Sequence, residues 1–140
     1  MNILRDIESG VAQIVAKPAL DGLLSLAARV MLSFIFIMAG YSKIGGYEGT
    51  QGYMEAMGVP GAMLPLVILL ELGGGLALLI GLQTRLMAAA LAGFCVISGV
   101  LFHGGEDQMQ QILLMKNIAI AGGLLALVRT GAGRFGVDKV

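Results

Sequence analysis

Charge is what this 140-residue chain has least of: 13% of its residues are Asp, Glu, Lys or Arg, against roughly 25% in soluble domains. With 57% hydrophobic residues and a mean hydropathy of +0.88, that scarcity excludes an ordinary soluble domain and leaves lipid as the solvent. Nine basic residues offset nine acidic ones, so no bulk charge invites nucleic acid. The single cysteine, Cys95, excludes an internal disulfide framework and any CxxC redox or zinc pattern, and reads as a small apolar filler. The single histidine, His103, has only Glu106 and Asp107 nearby as further metal donors, a weak set. No P-loop, dinucleotide fingerprint, zincin helix or serine elbow occurs. Most of the nine methionines scatter over different faces, which reads as adaptable packing.

What the chain has in abundance is apolar length. Spans are expected at about residues 20–42, 63–82, 85–102 and 111–128, each about 27 to 34 Å long at 1.5 Å per residue. A soluble helical bundle needs a charged stripe on every helix, and the third segment has none. The expected fold is therefore all-α: an antiparallel bundle of four transmembrane helices. Before it, within residues 1–17, Ile3, Leu4, Ile7, Val11, Ile14 and Val15 recur at helical spacing opposite Arg5, Glu8, Ser9 and Gln13. This predicts an amphipathic interfacial helix, with Pro18 either closing it or opening the next element. Residues 18–130 then form the membrane domain and 131–140 a short cytoplasmic tail.

Basic residues in the flanks set orientation. Arg5, Lys17, Arg85, Arg129, Arg134 and Lys139 fall on the side of the termini and Lys43 on the other, which places both termini in the cytoplasm. The outer connection, residues 44–62, exceeds what adjacent helices need. Residues 50–57 can form two helical turns with Tyr53, Met54 and Met57 on one side, a candidate interfacial helix or partial lid.

Polar groups inside the spans are costly and mark sites. Counted from the outer edge, Glu71 lies about 10 Å deep, Lys116 about 8 Å and Arg29 about 18 Å, with Lys43 and His103 at the edge itself. Glu71 and Lys116 are thus expected to pair, with Arg29 below and His103 above. On α-helical spacing Arg29, Ser33, Phe36, Gly40 and Lys43 share one stripe, while Asn117 lies one face around from Lys116. The glycines at 73–75, 93, 99, 122 and 123 allow close helix packing. Two deep cations against one anion leave a positive surplus. The candidate binding residues are Arg29, Lys43, Glu71, His103, Lys116 and Asn117, around an outward-facing polar pocket for a molecule with an acidic, phenolic or carbonyl head.

Several short motifs occur in order: Ala39-Gly40-Tyr41-Ser42-Lys43-Ile44, Gly58-Val59-Pro60-Gly61, Leu70-Glu71-Leu72-Gly73-Gly74-Gly75, Gly81-Leu82-Gln83-Thr84-Arg85, Leu101-Phe102-His103 and Met115-Lys116-Asn117-Ile118-Ala119. Together, over about residues 25–130, they resemble the DoxX family of small bacterial inner-membrane proteins, its YqjF branch in particular. The resemblance implies a four-span protein, and the family name carries a link to thiosulfate:quinone oxidoreduction. Arg29, Glu71 and Lys116 match the family's buried polar positions, which makes a quinone the implied ligand. No haem-ligand pair, flavin motif or second cysteine accompanies them.

The leading expectation is a non-catalytic or accessory inner-membrane protein binding a small lipophilic, quinone-like or acidic ligand. One alternative is a membrane oxidoreductase component acting on quinone with a redox partner protein. Another is a small transporter, which with four spans requires a homodimer. Membrane lipid is the one partner common to all three.

Overall fold

The computed structural model describes residues 2–139, and among these all regular structure is helical. The first helix, α1 (Asn2–Val15), buries no residue, and its apolar stripe of Ile3, Leu4 and Ile7 stays more than 60% exposed. It ends where Lys17 turns extended (φ −60°, ψ 131°) to precede Pro18, whose fixed φ suits the first turn of the next helix. α1 is therefore a separate amphipathic element, as the pattern predicts.

Four helical spans are long and apolar enough to cross a bilayer: Pro18–Gly45, Gly61–Ile80, Thr84–Phe102 and Gln108–Thr130. The first is α2 (Pro18–Gly45), whose 28 residues reach about 42 Å. It exceeds the ~30 Å hydrocarbon core, so it tilts or protrudes. At Gly46 the chain turns into α3 (Tyr47–Ala56), which starts earlier than the sequence pattern suggests and buries only Met54. The second span is not uniform. It opens with a 3₁₀ turn at Gly61–Met63, continues as α4 (Leu64–Ile68), widens to a π-helical turn at Leu69–Gly73, and finishes as α5 (Gly74–Ile80). Left-handed Gly81 (φ 76°) stops it, and the tight turn delivers the chain to α6 (Thr84–Phe102). After residues 103–107 comes α7 (Gln108–Thr130).

Neighbours in sequence are neighbours in space. Span two lies against α2 on one side and α6 on the other, and α7 runs along α6. Every span contributes to the core: Phe36 from α2, Leu78 from α5, Leu91 from α6 and Leu124 from α7. Where no hydrophobic gain drives helices together, close backbone approach must do so. At Gly75 an added Cβ would stand 2.9 Å from Ile37 Cγ1, and at Gly40 one would stand 3.0 Å from the Leu72 backbone nitrogen. These glycines bring α2 and span two together.

The segment after α7, read from sequence as a mere tail, folds back over the end of the bundle that carries the termini, the terminal face. The Val137 and Asp138 amides donate to the Ile80 and Gly81 carbonyls. The Asp138 carboxylate accepts from the Gln83 and Thr84 amides at 2.8 Å each, capping the start of α6. Those hydrogen bonds, the Thr84 one foremost, hold the Asp138 carboxyl below the usual carboxylate range. Ala132 is fully buried.

Candidate functional site

Opposite the tail, in the half of the bundle near the α2–α3 and α6–α7 connections (the loop face), lies a cavity of about 280 Å³. Most of its wall is apolar, supplied by side chains such as Phe36, Val67, Phe94 and Ile120. Set into that wall are Lys43, Glu71, His103, Lys116 and Asn117, five of the six candidate residues.

Each polar group reaches the cavity from a different local structure. Lys43 sits in the last turn of α2, where a cation complements the helix dipole. Its stem reaches inward, and Nζ lies 2.8 Å from Glu71 Oε1. Glu71 occupies the middle of the π-helical turn, and no further donor among the described residues reaches that oxygen. A π turn interrupts the regular i+4 stacking and is common at functional sites. His103 ends α6, and its Nδ1 is 2.8 Å from Gln110 Oε1, which spans the α6–α7 connection. The Asn117 amide donates to the Cys95 carbonyl at 3.1 Å and the Ser98 hydroxyl at 3.4 Å, tying α7 to α6. Lys116, one position earlier and so about 100° around the helix, makes no ion pair or hydrogen bond among the described residues. Cys95 is buried and lines the cavity beside Asn117.

The loop end of the cavity is crossed by α3. Thr50, Tyr53 and Met54 line it, the Tyr53 ring stacks on Phe102 with centroids 5.5 Å apart, and the Tyr53 hydroxyl donates to the Phe102 carbonyl at 3.4 Å. Tyr53 and Met54 were visible in sequence as one side of a short helix. Phe94 and Phe102 carried no polar signal that could have singled them out, and a lone hydroxyl such as Ser98 in an apolar span reads as ordinary helix packing.

Two expectations are corrected. Glu71 pairs with Lys43, not with Lys116, because each side chain leans toward the N-terminus of its own helix, Lys43 inward and Glu71 outward, and together they close the depth between them. Arg29 does not join the cavity at all. Side chains on a helix lean toward its N-terminus, so Arg29 points toward the terminal face. There its Nε donates to the Ala132 carbonyl at 3.0 Å, Nη1 to the Leu78 and Leu79 carbonyls at 3.2 and 2.7 Å, and Nη2 to the Phe135 carbonyl at 2.9 Å. Leu78 and Leu79 stand in the last turn of α5, whose negative dipole end supplies the counter-charge that depth arithmetic assigned to Glu71. The guanidinium is fully buried and joins α2, α5 and the returning tail. Among the described residues, the positive surplus near the cavity is then carried by Lys116 alone.

Comparison with known proteins adds the following. The family model described as DoxX matches residues 24–104. The inner membrane protein YqjF of Escherichia coli (strain K12) is 52% identical over 116 residues, covering 82% of this chain and 89% of that protein. Inner membrane protein YphA of the same organism is 31% identical over 99% of both chains. A Bacillus subtilis (strain 168) protein named "Putative oxidoreductase CatD" is 35% identical, covering 69% of this chain and 76% of its own. No solved structure matches.

Proposed function

The chain belongs to the DoxX family of inner-membrane proteins, and from that premise we propose that it binds a small lipophilic molecule with an acidic, phenolic or quinone-type head in the loop-side cavity. The observation that carries this reading is the charge layout. Lys43 and Glu71 neutralise one another across a largely apolar wall, while Lys116 faces the same space without a partner among the described residues. An unpaired ammonium within a span is costly unless something satisfies it. A ligand oxygen bearing negative charge or a carbonyl lone pair would do so, with the Asn117 and His103 dipoles nearby. At about 280 Å³ the cavity suits a ring-sized head. The basic residues of the terminal face, Arg5, Lys17, Arg85, Arg129, Arg134 and Lys139, support a cytoplasmic location for both termini. The cavity then lies in the outer half of the membrane.

In this reading the protein is a binding or accessory component. A second reading, an oxidoreductase component acting on quinone with a partner that brings the redox centre, draws on the name of the CatD relative. In both, Lys116 holds the ligand oxygen.

Native mass spectrometry of protein extracted gently from its own membrane tests the reading. A retained small molecule with such a head is expected in the parent and in Lys139→Met, a tail control. In Lys116→Met its retention should fall by about tenfold or more, as expected for a lost charged hydrogen bond. Equal retention in parent and Lys116→Met, or no retained molecule, would overturn it.

A further inference from the structure

The cavity lacks a wall on one side. Span two and α6 enclose it, and α3 crosses its loop end with Met54 buried and Tyr53 held to Phe102 by stacking and a hydrogen bond. Between α2 and α7 there is no comparable closure, because α7 runs along α6 and barely touches α2. The two helices approach at Leu32 and Gly123, where an added Cβ would lie 3.3 Å from Leu32 Cδ2. Three and seven residues further toward the loop face, on the same stripes, stand Ile35 and Ala39 of α2 and Ile120 and Lys116 of α7. All four line the cavity. Lys116 lines it and is nevertheless exposed, as a residue in an uncovered seam must be.

That seam faces lipid, not water, since both helices are membrane spans and the opening starts at mid-span. A cavity of about 280 Å³ falls below the ~300–1,000 Å³ that encloses a whole drug-sized ligand. A long hydrocarbon chain therefore has no room inside and no reason to leave the bilayer. We infer that the cavity is filled from the side, through the α2–α7 seam, by a lipid-dissolved amphiphile whose head reaches Lys116 while its tail stays among the lipid chains. This rests on the pocket reading above and adds to it a substrate class, tailed membrane amphiphiles, and a route of access. A side opening also settles how Lys116 is accommodated when no ligand is bound: its flexible stem can carry the ammonium along the seam toward the headgroup region.

The test uses the full chain in lipid nanodiscs and benzoquinones carrying ethyl, heptyl or decyl tails, with a second decyl probe bearing a diazirine at the tail end. If the tail remains in lipid on binding, dissociation constants expressed per mole fraction in the bilayer should agree within about twofold across the series. If the site opened to water instead, each methylene withdrawn from lipid would weaken binding by about fourfold, the equivalent of its transfer free energy. The diazirine should label residues 31–42 and 109–120, the two sides of the seam. Saturable binding that weakens steadily with tail length, or labelling concentrated on residues 47–57 and 103–108, would overturn side access while leaving the pocket in place. No saturable binding of any probe would overturn the pocket reading and the inference with it.

Discussion

Lys43 Nζ stands 2.8 Å from Glu71 Oε1, with side-chain exposures of 27% and 5%, and this pair joins the end of the first span to the π-helical turn of the second. Removing one partner of a buried pair leaves an uncompensated charge, whereas removing both leaves none. Glu71→Gln is therefore expected to destabilise the protein by about 2 kcal/mol, below the ~3–5 kcal/mol of a fully buried pair because Lys43 remains partly exposed. Lys43→Met should cost a similar amount, and the double variant should recover most of the loss. Thermal unfolding of the four proteins in lipid nanodiscs measures this cycle. Additive losses would show that the pair carries no coupling.

The guanidinium of Arg29 organises the opposite end. Arg29→Met deprives four carbonyls of their donors, so the clamp on residues 131–139 should loosen and stability fall by about 3 kcal/mol. Arg29→Lys should not restore it, because an ammonium presents its donors from one point and cannot reach tail and α5 together. Hydrogen exchange read by mass spectrometry checks this: faster exchange is expected across residues 131–139, with residues 94–103 of the cavity wall unaffected. Unchanged exchange in the tail would exclude a clamp.

What the sequence made legible follows from which physics is local. Apolar length and scarce charge located the four spans to within a few residues at each end, and 3.6-residue periodicity located α1. Five of the six candidate residues share one cavity because depth along a helix can be counted from sequence. Depth could not place Arg29. Its height put it below Glu71 with a side chain long enough to reach up, but the lean of that side chain and the carbonyls ending α5 decide where the guanidinium goes. The π turn at Leu69–Gly73 leaves no periodic trace, since one widened turn shifts only the residues after it. The returning tail is built from backbone hydrogen bonds of a glycine-rich segment, which no side-chain pattern announces.

Asp138 gives the terminal face a pH dependence. Amide hydrogen bonds from Thr84 and Gln83 lower its folded pKa below the ordinary carboxylate value. Its contribution is thus fully present above the unfolded pKa, near 3.9, and is lost as pH falls through the depressed folded value. Amide exchange at Gln83 and Thr84 should stay protected at neutral and mildly acidic pH and rise only below about pH 4. In Asp138→Ala both amides should exchange faster by about fivefold at neutral pH, the size of a lost helix cap. Protection that is the same in variant and parent would remove Asp138 from the capping role.

The glycines separate into two kinds, and substitution should tell them apart. At Gly75 an added Cβ meets the α2 backbone, with Ile37 N at 3.2 Å and Ile37 Cγ1 at 2.9 Å, so helix-to-helix distance itself must change. At Gly93 and Gly122 nothing lies within 4 Å, and Gly93 lines a shallow groove with Ala89, Val96 and Leu125 on the outer face of α6 and α7. Gly75→Ala is expected to destabilise by about 1–3 kcal/mol, the cost of overpacking. Gly93→Ala and Gly122→Ala should be neutral or stabilising by up to about 1 kcal/mol, since alanine is the better helix former. Unfolding in nanodiscs holding a single copy isolates these effects. If Gly93→Ala is neutral there but lowers stability in native membranes, the groove is in contact with another chain, and a shift in oligomeric mass on the same variant would identify that chain as a second copy.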